Sequence, residues 1–473
     1  LAAHRTIFWF RRDLRLADNR ALLEAARRAD GDVTAVFIID DVFAAPAGST
    51  RVAFLRRTLE SLSESLGGRL NVLVGDPATA LARVAREVGA DRVFATGDYA
   101  PRGRQRDERV REHLAASGVV VEYIDSPYVV APGTVVTKSG TPCRVFAAFR
   151  RSWENEPRAR PIAPPDGVTW RAAESVSLDE LTRRAAASRP WFFGDLPDAP
   201  APAMPDAGER AAQDQLTRFA SHVDAYDEAR NLPGLDGTSR LSPHLRFGSV
   251  HPRQVLAAVE GGSAGRVTFL SEICWREFYA DVMFHRPKSV SQVLQPSLEH
   301  LRVDLDDRAV ARFATWARGE TGYPLVDAGM RQLLEEGWMH NRVRMVCASF
   351  LVKHLHLDWR WGARWFMWRL VDGDVASNQH GWQWTAGTGT DAAPFHRVFN
   401  PTLQAQRFDP NGVYVRRYVP ELAAVAAPQC LLPGGGGGLL SAAYAAPMLD
   451  AAAERDEALA RFAEARELAR TLS

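Results

Sequence analysis

At 473 residues the chain is too long for one ordinary hydrophobic core, and two or three domains are expected. A net charge of +1, with 46% hydrophobic and 24% charged residues, excludes a globally basic protein. Nucleic-acid binding would therefore need a local basic patch.

The first 125 or so residues alternate apolar runs with amphipathic stretches. "TIFWF", "VTAVFII", "LNVLVG", "RVFATG" and "VVVEYI" read as buried strands. "RALLEAARRA", "TRVAFLRRTLESLSESL", "PATALARVAREVG" and "RQRDERVREHLAASG" read as the helices between them. That grammar predicts a doubly wound parallel α/β domain over residues 1–130. Ligands of such domains sit beyond the strand C-termini. The first strand is followed by "FRRDLRLADN" and not by a G-x-G-x-x-G, so an ordinary dinucleotide fingerprint is absent. Residues 131–205, with "RARPIAPPDG" and "LPDAPAPAMPDAG", read as a long surface connector. From 206 to 473 helical periodicity dominates, and an all-α domain is predicted. A glycine run, Gly434 to Gly438, precedes a last helix, "LDAAAERDEALARFAEARELART", which reads as a solvated amphipathic cap.

Four widely spaced cysteines, Cys143, Cys274, Cys347 and Cys430, offer neither zinc-ligand spacing nor a disulfide framework. No apolar run is long enough to span a bilayer, and no signal-peptide pattern opens the chain. A reducing cytoplasm is expected, with no membrane partner and no metal.

Polar residues gather in the helical half where a core should be apolar. "GTSRLSPHLRFG", from Gly237 to Gly248, offers hydroxyls and backbone amides before a proline-started helix. That suits a phosphate cradle, although serine and threonine also cap helices routinely. In "SEICWREFY", Glu272, Trp275, Arg276 and Tyr279 fall at i, i+3, i+4 and i+7, on one helical face. In "GWMHNRVRMVCASF", Trp338, Asn341, Arg344 and Met345 share another. Each face fits a wet, aromatic-lined cavity, or an ion pair beside a core aromatic. "LVDGDVASNQHGWQW" packs two carboxylates, an amide and two indoles around a turn, and Arg344 could pair with Asp372 or Asp374. A helix end with core tryptophans is the plainer alternative. Nine of the 13 tryptophans lie between Trp275 and Trp384, and stacked indoles serve flat cofactors and nucleobases alike.

"WFRRDLRLADN", "GTSRLSPHLRFG", "WREFY", "TGYPLVDAGMRQL", "GWMHNRVRM" and "NQHGWQWTAGTGTDAAPFHRVFNP" resemble, in this order and over nearly the whole chain, the photolyase/cryptochrome family. The resemblance is greatest to its class I cyclobutane pyrimidine dimer branch. It implies one FAD per chain, active when reduced, in the helical domain. It implies that Tyr226, Thr238, Ser239, Arg240, Leu241, Ser242 and Phe269 form the cofactor cradle, with Trp275, Arg276 and Asn341 beside it. Asp372, Gly373 and Asp374 would hold the flavin and Arg344, with Asn378 facing the flavin N5.

The same resemblance places Glu272, Trp275, Tyr279, Asn341, Met345 and Trp384 around a flipped-out dimer in UV-damaged DNA. Trp275 and Trp384 would clamp it, Glu272 would stabilise its radical anion, and Arg230 and Arg397 would meet phosphates. Trp382 and Trp359 match the inner members of a three-step electron chain. The outer one is missing, because "LEHLRVDLDDRAVARFAT" lacks tryptophan and tyrosine; either Trp316, Trp361 or another aromatic substitutes, or the radical pair recombines quickly and photoreduction is poor. Arg51, Asp98 and Arg246 match contacts to an 8-hydroxy-5-deazaflavin antenna, although Ala100 stands where a carboxylate is common. The implied function is light-dependent repair of cyclobutane pyrimidine dimers by a monomer in the cytoplasm, associated with the nucleoid through DNA. The alternative on the same fold is a cryptochrome-type blue-light receptor, against which Asn378 and the complete dimer pocket speak.

Overall fold

The computed structural model describes residues 5–29, 31–185, 187–391 and 397–472. The part of the last motif at 392–396 lies outside them. The chain forms two compact units, Leu1–Arg189 with Pro205–Asp224 and Ser239–Pro287, and Pro190–Met204 with Ala225–Thr238 and Lys288–Ser473.

In the first unit, β1 (Thr6–Phe10), α1 (Arg20–Arg28), β2 (Asp32–Ile39), α2 (Ser49–Ser65), β3 (Asn71–Val74), α3 (Pro77–Val88), β4 (Arg92–Ala95), α4 (Pro101–Ala115) and β5 (Val120–Tyr123) alternate as the sequence predicts. The strands pair in parallel in the order β3-β2-β1-β4-β5. Ile7, Trp9, Val36, Ile38, Val93 and Ala95 bury one sheet face beneath α3 and α4, because strands covered on both sides need continuous apolar runs. Helix α4 starts three residues before its expected Arg104. Pro101 pre-sets the first turn, and Asp98 Oδ1 accepts the Ala100 amide at 3.1 Å. Gly103 lets the helix sit on that carboxylate, since a Cβ there would lie 2.2 Å from the Asp98 carboxyl carbon.

Two elements arise inside the stretch that reads as connector. One is α5 (Phe146–Trp153). The other is β6 (Thr169–Trp170), which pairs in parallel with Asp32 and Val33 at the start of β2. A two-residue strand has no periodicity to read. The unit also holds α6 (Ser242–Phe247) and the long α7 (Ala264–His285).

The second unit is helical: α8 (Asp307–Arg318), α9 (Pro324–Glu336), α10 (Asn341–Lys353), α11 (Trp359–Arg369), α12 (Val375–Ala386), α13 (Pro401–Phe408), α14 (Val413–Tyr418) and α15 (Ala451–Leu472). Helix α15 docks through Ala458, Arg461, Phe462 and Ala465, with Phe462 and Ala465 packing on Leu298. Its remaining faces stay wet, as a cap requires. Among the described residues no helix is long and apolar enough to cross a membrane.

Candidate active site

In the second unit the site grows from the turn between α11 and α12. Asp374 caps α12, its Oδ1 accepting the Ser377 amide at 3.1 Å, as expected of an aspartate before a helix. Asp372 accepts a 2.7 Å bond from Arg344 Nη2, and Arg344 Nε donates to the Met339 carbonyl at 2.8 Å. The Val371 amide bonds the Gly337 carbonyl at 2.8 Å, tying the turn to the end of α9. Both aspartates are buried. The pairing of Arg344, open between two aspartates in the sequence, involves Asp372.

Asn378, also buried, donates through Nδ2 to the Ala363 carbonyl at 3.1 Å and to Gln379 Oε1 at 2.8 Å. Among the described residues its Oδ1 accepts nothing, so this face of the amide is an acceptor. One turn on, Trp382 packs over α11 at Gly362, where a Cβ would lie 2.1 Å from the indole. The Trp316 ring stands 6.2 Å from Trp382, edge to face, and Phe366 lies 5.0 Å from it.

On α10, Asn341 is exposed, while Met345 on the same helix and Trp384 on α12 are half-buried. Arg342 Nη2 donates to Asn231 Oδ1 at 2.6 Å, which anchors the loop between Tyr226 and Thr238 to α10. In that loop the Arg230 guanidinium lies 5.5 Å from the Tyr226 ring. A buried network, invisible to a pattern search, sets the start of α10: Gln332 Oε1 accepts from the His340 amide at 3.2 Å and from the Tyr414 hydroxyl at 2.7 Å.

Arg397 is exposed, and the Lys353 ammonium donates to its carbonyl at 3.0 Å. Burial, and secondarily the Arg397 charge, lower the Lys353 pKa from 10.5 to about 8. The unfolded chain therefore binds this proton more tightly than the folded one, and stability should rise with pH between about 8 and 10.5. In Lys353→Met that part of the slope should vanish, as urea unfolding across the window would show.

In the first unit, Ser239 to Leu241 lead into α6. Arg240 takes a left-handed φ of 47°, uncommon for a residue with a side chain, and Gln215 Nε2 donates to the Ser239 carbonyl at 2.9 Å. Ser242 then opens α6. Phe269 is buried against Phe219, ring centres 4.5 Å apart.

Helix α7 is two-sided. Glu272, Trp275 and Tyr279 are half-buried. Behind them the helix is pinned to the loop after β5. Glu277 accepts from the Val130 amide at 3.0 Å and from Trp153 Nε1 at 2.6 Å, and Asp281 accepts from the Gly133 amide at 2.8 Å. Burial raises the Glu277 pKa against these bonds. Arg276 belongs to this staple as well, donating to the Pro127 and Leu245 carbonyls at 3.2 Å each. Against Trp275 itself lies Phe146 of α5, a residue that pattern alone leaves in the connector. Its signal is the stripe Phe146, Phe149 and Trp153.

At the C-terminal ends of β1 and β4, Asp98 is largely but not fully buried beside Arg106, 3.1 Å away. Burial alone would raise its pKa, but the charges of Arg106, Arg12 and Arg11 outweigh burial and hold it below the usual value. Arg106 and Arg11 lie 4.9 and 4.6 Å from the Trp9 ring, and both bond Asp107. This cluster has no signature in the sequence, because its members are spread over about 100 residues. Arg51 lies in the first turn of α2, and Arg246 on α6 lies 5.4 Å over the Phe247 ring. The two helices pack through Phe54 and Phe247, ring centres 5.5 Å apart.

Comparison with known proteins bears on both units. Residues 6–166 match the family described as DNA photolyase, and residues 269–464 match the FAD binding domain of DNA photolyase. The deoxyribodipyrimidine photo-lyase of Agrobacterium fabrum is 40% identical over 97% of both chains. A class III photolyase from Agrobacterium tumefaciens superposes with a TM-score of 0.88 at 38% identity, covering 99% of this chain and 98% of that one. A cryptochrome from Synechocystis superposes with a TM-score of 0.82 at 26% identity over the full length of both.

Proposed function

The chain belongs to the DNA photolyase family, and we propose that it is a deoxyribodipyrimidine photo-lyase that repairs cyclobutane pyrimidine dimers in UV-damaged DNA under light. Residues 1–130 would carry the antenna, 131–205 connect, and 206–473 hold flavin and DNA. The polar set fits an FAD. Asp372 and Asp374 are buried carboxylates, Arg344 is fixed by Asp372, and the Asn378 Oδ1 acceptor suits the N5–H of a reduced flavin. Bound and reduced, FAD supplies the light-driven electron that opens the two dimer bonds and returns.

The protein's own work is position. Trp275 and Trp384 would stack on the extruded bases, Asn341 and Glu272 would bond their edges, and Glu272 would face the charge that develops on the dimer. Arg230 and Arg397 would meet phosphates, independently of sequence. The observation that carries this reading is α7, which leaves Glu272, Trp275 and Tyr279 partly open while Glu277 and Asp281 pin its other side. Loss of a thymine dimer from an oligonucleotide under blue light, against a dark control, tests it. A protein that binds FAD yet repairs nothing would favour the light-receptor reading.

Trp275→Ala should weaken binding to dimer-containing DNA by about 1–3 kcal/mol, the worth of one base stack, with little change on undamaged DNA. Filter binding on both DNAs decides it, and equal losses would make Trp275 a structural residue. Rising salt should weaken both.

The antenna is proposed to be 8-hydroxy-5-deazaflavin near Arg51, Asp98 and Arg246, beyond the strand ends where such domains open. Asp98 is already held by Arg106, so it would present to the ligand only its remaining lone pairs. Reconstitution should give chromophore emission quenched by the flavin, and Asp98→Ala should weaken uptake. Uptake unchanged in that variant would remove Asp98 from the site.

A further inference from the structure

Trp275 does not face solvent alone. The Phe146 ring lies 3.7 Å from its indole, centre to centre, with the two planes only 7° apart. Free aromatic rings favour offset or edge-to-face pairs over this near-sandwich, so the helices impose it. Helix α5 presents Phe146, Phe149 and Trp153 at i, i+3 and i+7, one face. Each meets α7: Phe146 meets Trp275, Phe149 meets Phe278 with ring centres 5.3 Å apart, and Trp153 donates to Glu277 at 2.6 Å. Phe149 and Trp153 are fully buried anchors, whereas Phe146 at the open end of the stripe is half-buried. Phe278, edge-on at 5.7 Å, and Tyr279, tilted at 5.4 Å, also touch the indole.

We propose that Phe146 is a positioning residue for damage recognition, the back plate of the Trp275 clamp, an inference that rests on the reading of Trp275 given above. With one indole face covered, an extruded base can stack only on the other. The ring is also held in its stacking orientation before DNA arrives, so less freedom is lost on binding. Helix α5 thereby becomes part of the recognition apparatus.

The test uses the FAD-loaded protein and two oligonucleotides that differ only by a thymine dimer. Phe146→Leu keeps bulk and removes the ring. It should weaken dimer binding by about 2- to 10-fold, the equivalent of one aromatic pair, with undamaged-DNA binding and flavin content unchanged. Phe146→Tyr should restore the preference. In a Trp275→Ala background, Phe146→Leu should add nothing. If Trp275→Ala loses the preference and Phe146→Leu keeps it in full, the back plate is wrong and the clamp stands. The back plate is equally wrong if Phe146→Leu weakens binding to both DNAs alike. If Trp275→Ala itself keeps the preference, the clamp falls and the back plate with it.

Discussion

Asp372→Ala protein should be purified with most of its FAD missing. The carboxylate is buried and receives Arg344 at 2.7 Å, and the guanidinium is also held by the Met339 carbonyl at Nε and lies 5.9 Å from the Trp338 ring. Removing the acid leaves a partly buried cation without its counter-charge beside the proposed cofactor site, which is costlier than never having had the pair. A hydrogen bond to a charged group contributes about 1.5–3 kcal/mol, so flavin affinity should fall on the order of 10- to 100-fold. Asp372→Asn keeps the shape and one acceptor oxygen and should fall between. Flavin absorbance per chain after dialysis measures both. Full occupancy in Asp372→Ala would take this turn out of the cofactor site.

Photoreduction of the oxidised flavin should be lost in Trp382→Phe and strongly slowed in Trp316→Phe, while repair by chemically reduced enzyme survives in both. From sequence, Trp359 is the expected next step after Trp382, with Trp359→Phe expected to abolish photoreduction. Among the described residues, however, the indole in ring contact with Trp382 is Trp316, at 6.2 Å. Beyond it lie Phe313 at 5.7 Å, then Trp361 at 5.8 Å from Phe313, then Trp191 at 6.1 Å from Trp361. Trp191 is 73% exposed, so this line of rings reaches solvent.

Trp316 has a second qualification. Its Nε1 donates to the Cys347 carbonyl at 3.1 Å, a bond that strengthens when the indole carries positive charge. The buried Nε1 atoms of Trp382 and Trp359 have no hydrogen-bond partner among the described residues. A hole should rest longer on Trp316 than on either. Transient absorption after a blue flash, with Trp316→Phe beside Trp359→Phe, separates the routes: full photoreduction in Trp316→Phe would return the role to Trp359.

What can be read in the sequence is whatever repeats locally. The five main strands carry continuous apolar runs and their helices an apolar period of 3.6, and all five strands pair in one parallel sheet. The motif "DGD" can be read as a polar turn because aspartate before a helix has a local job, and Asp374 does it. What escapes depends on partners far along the chain. Arg276 shares a helical face with Glu272 by arithmetic, but the Pro127 and Leu245 carbonyls draw it backwards. Phe146 looks like linker because its stripe of three apolar residues is too short to announce a helix without Trp275 and Phe278 to pack on. Gln332 gives no sign at all: the two groups that donate to its Oε1, the His340 amide and the Tyr414 hydroxyl, lie eight and 82 residues away.

The strand β6 has a consequence for the first unit. Thr169 and Trp170 cover the beginning of β2, on the edge that β3 covers only from Val36 onward. Without β6 the amide and carbonyl groups around Asp32 and Val33 would stand unprotected. Bare strand edges recruit other strands. In the full chain, Arg171→Pro removes the amide that bonds the Val33 carbonyl at 3.0 Å and should raise self-association, which light scattering would show. The proline-rich stretch is, in this respect, a seal against aggregation.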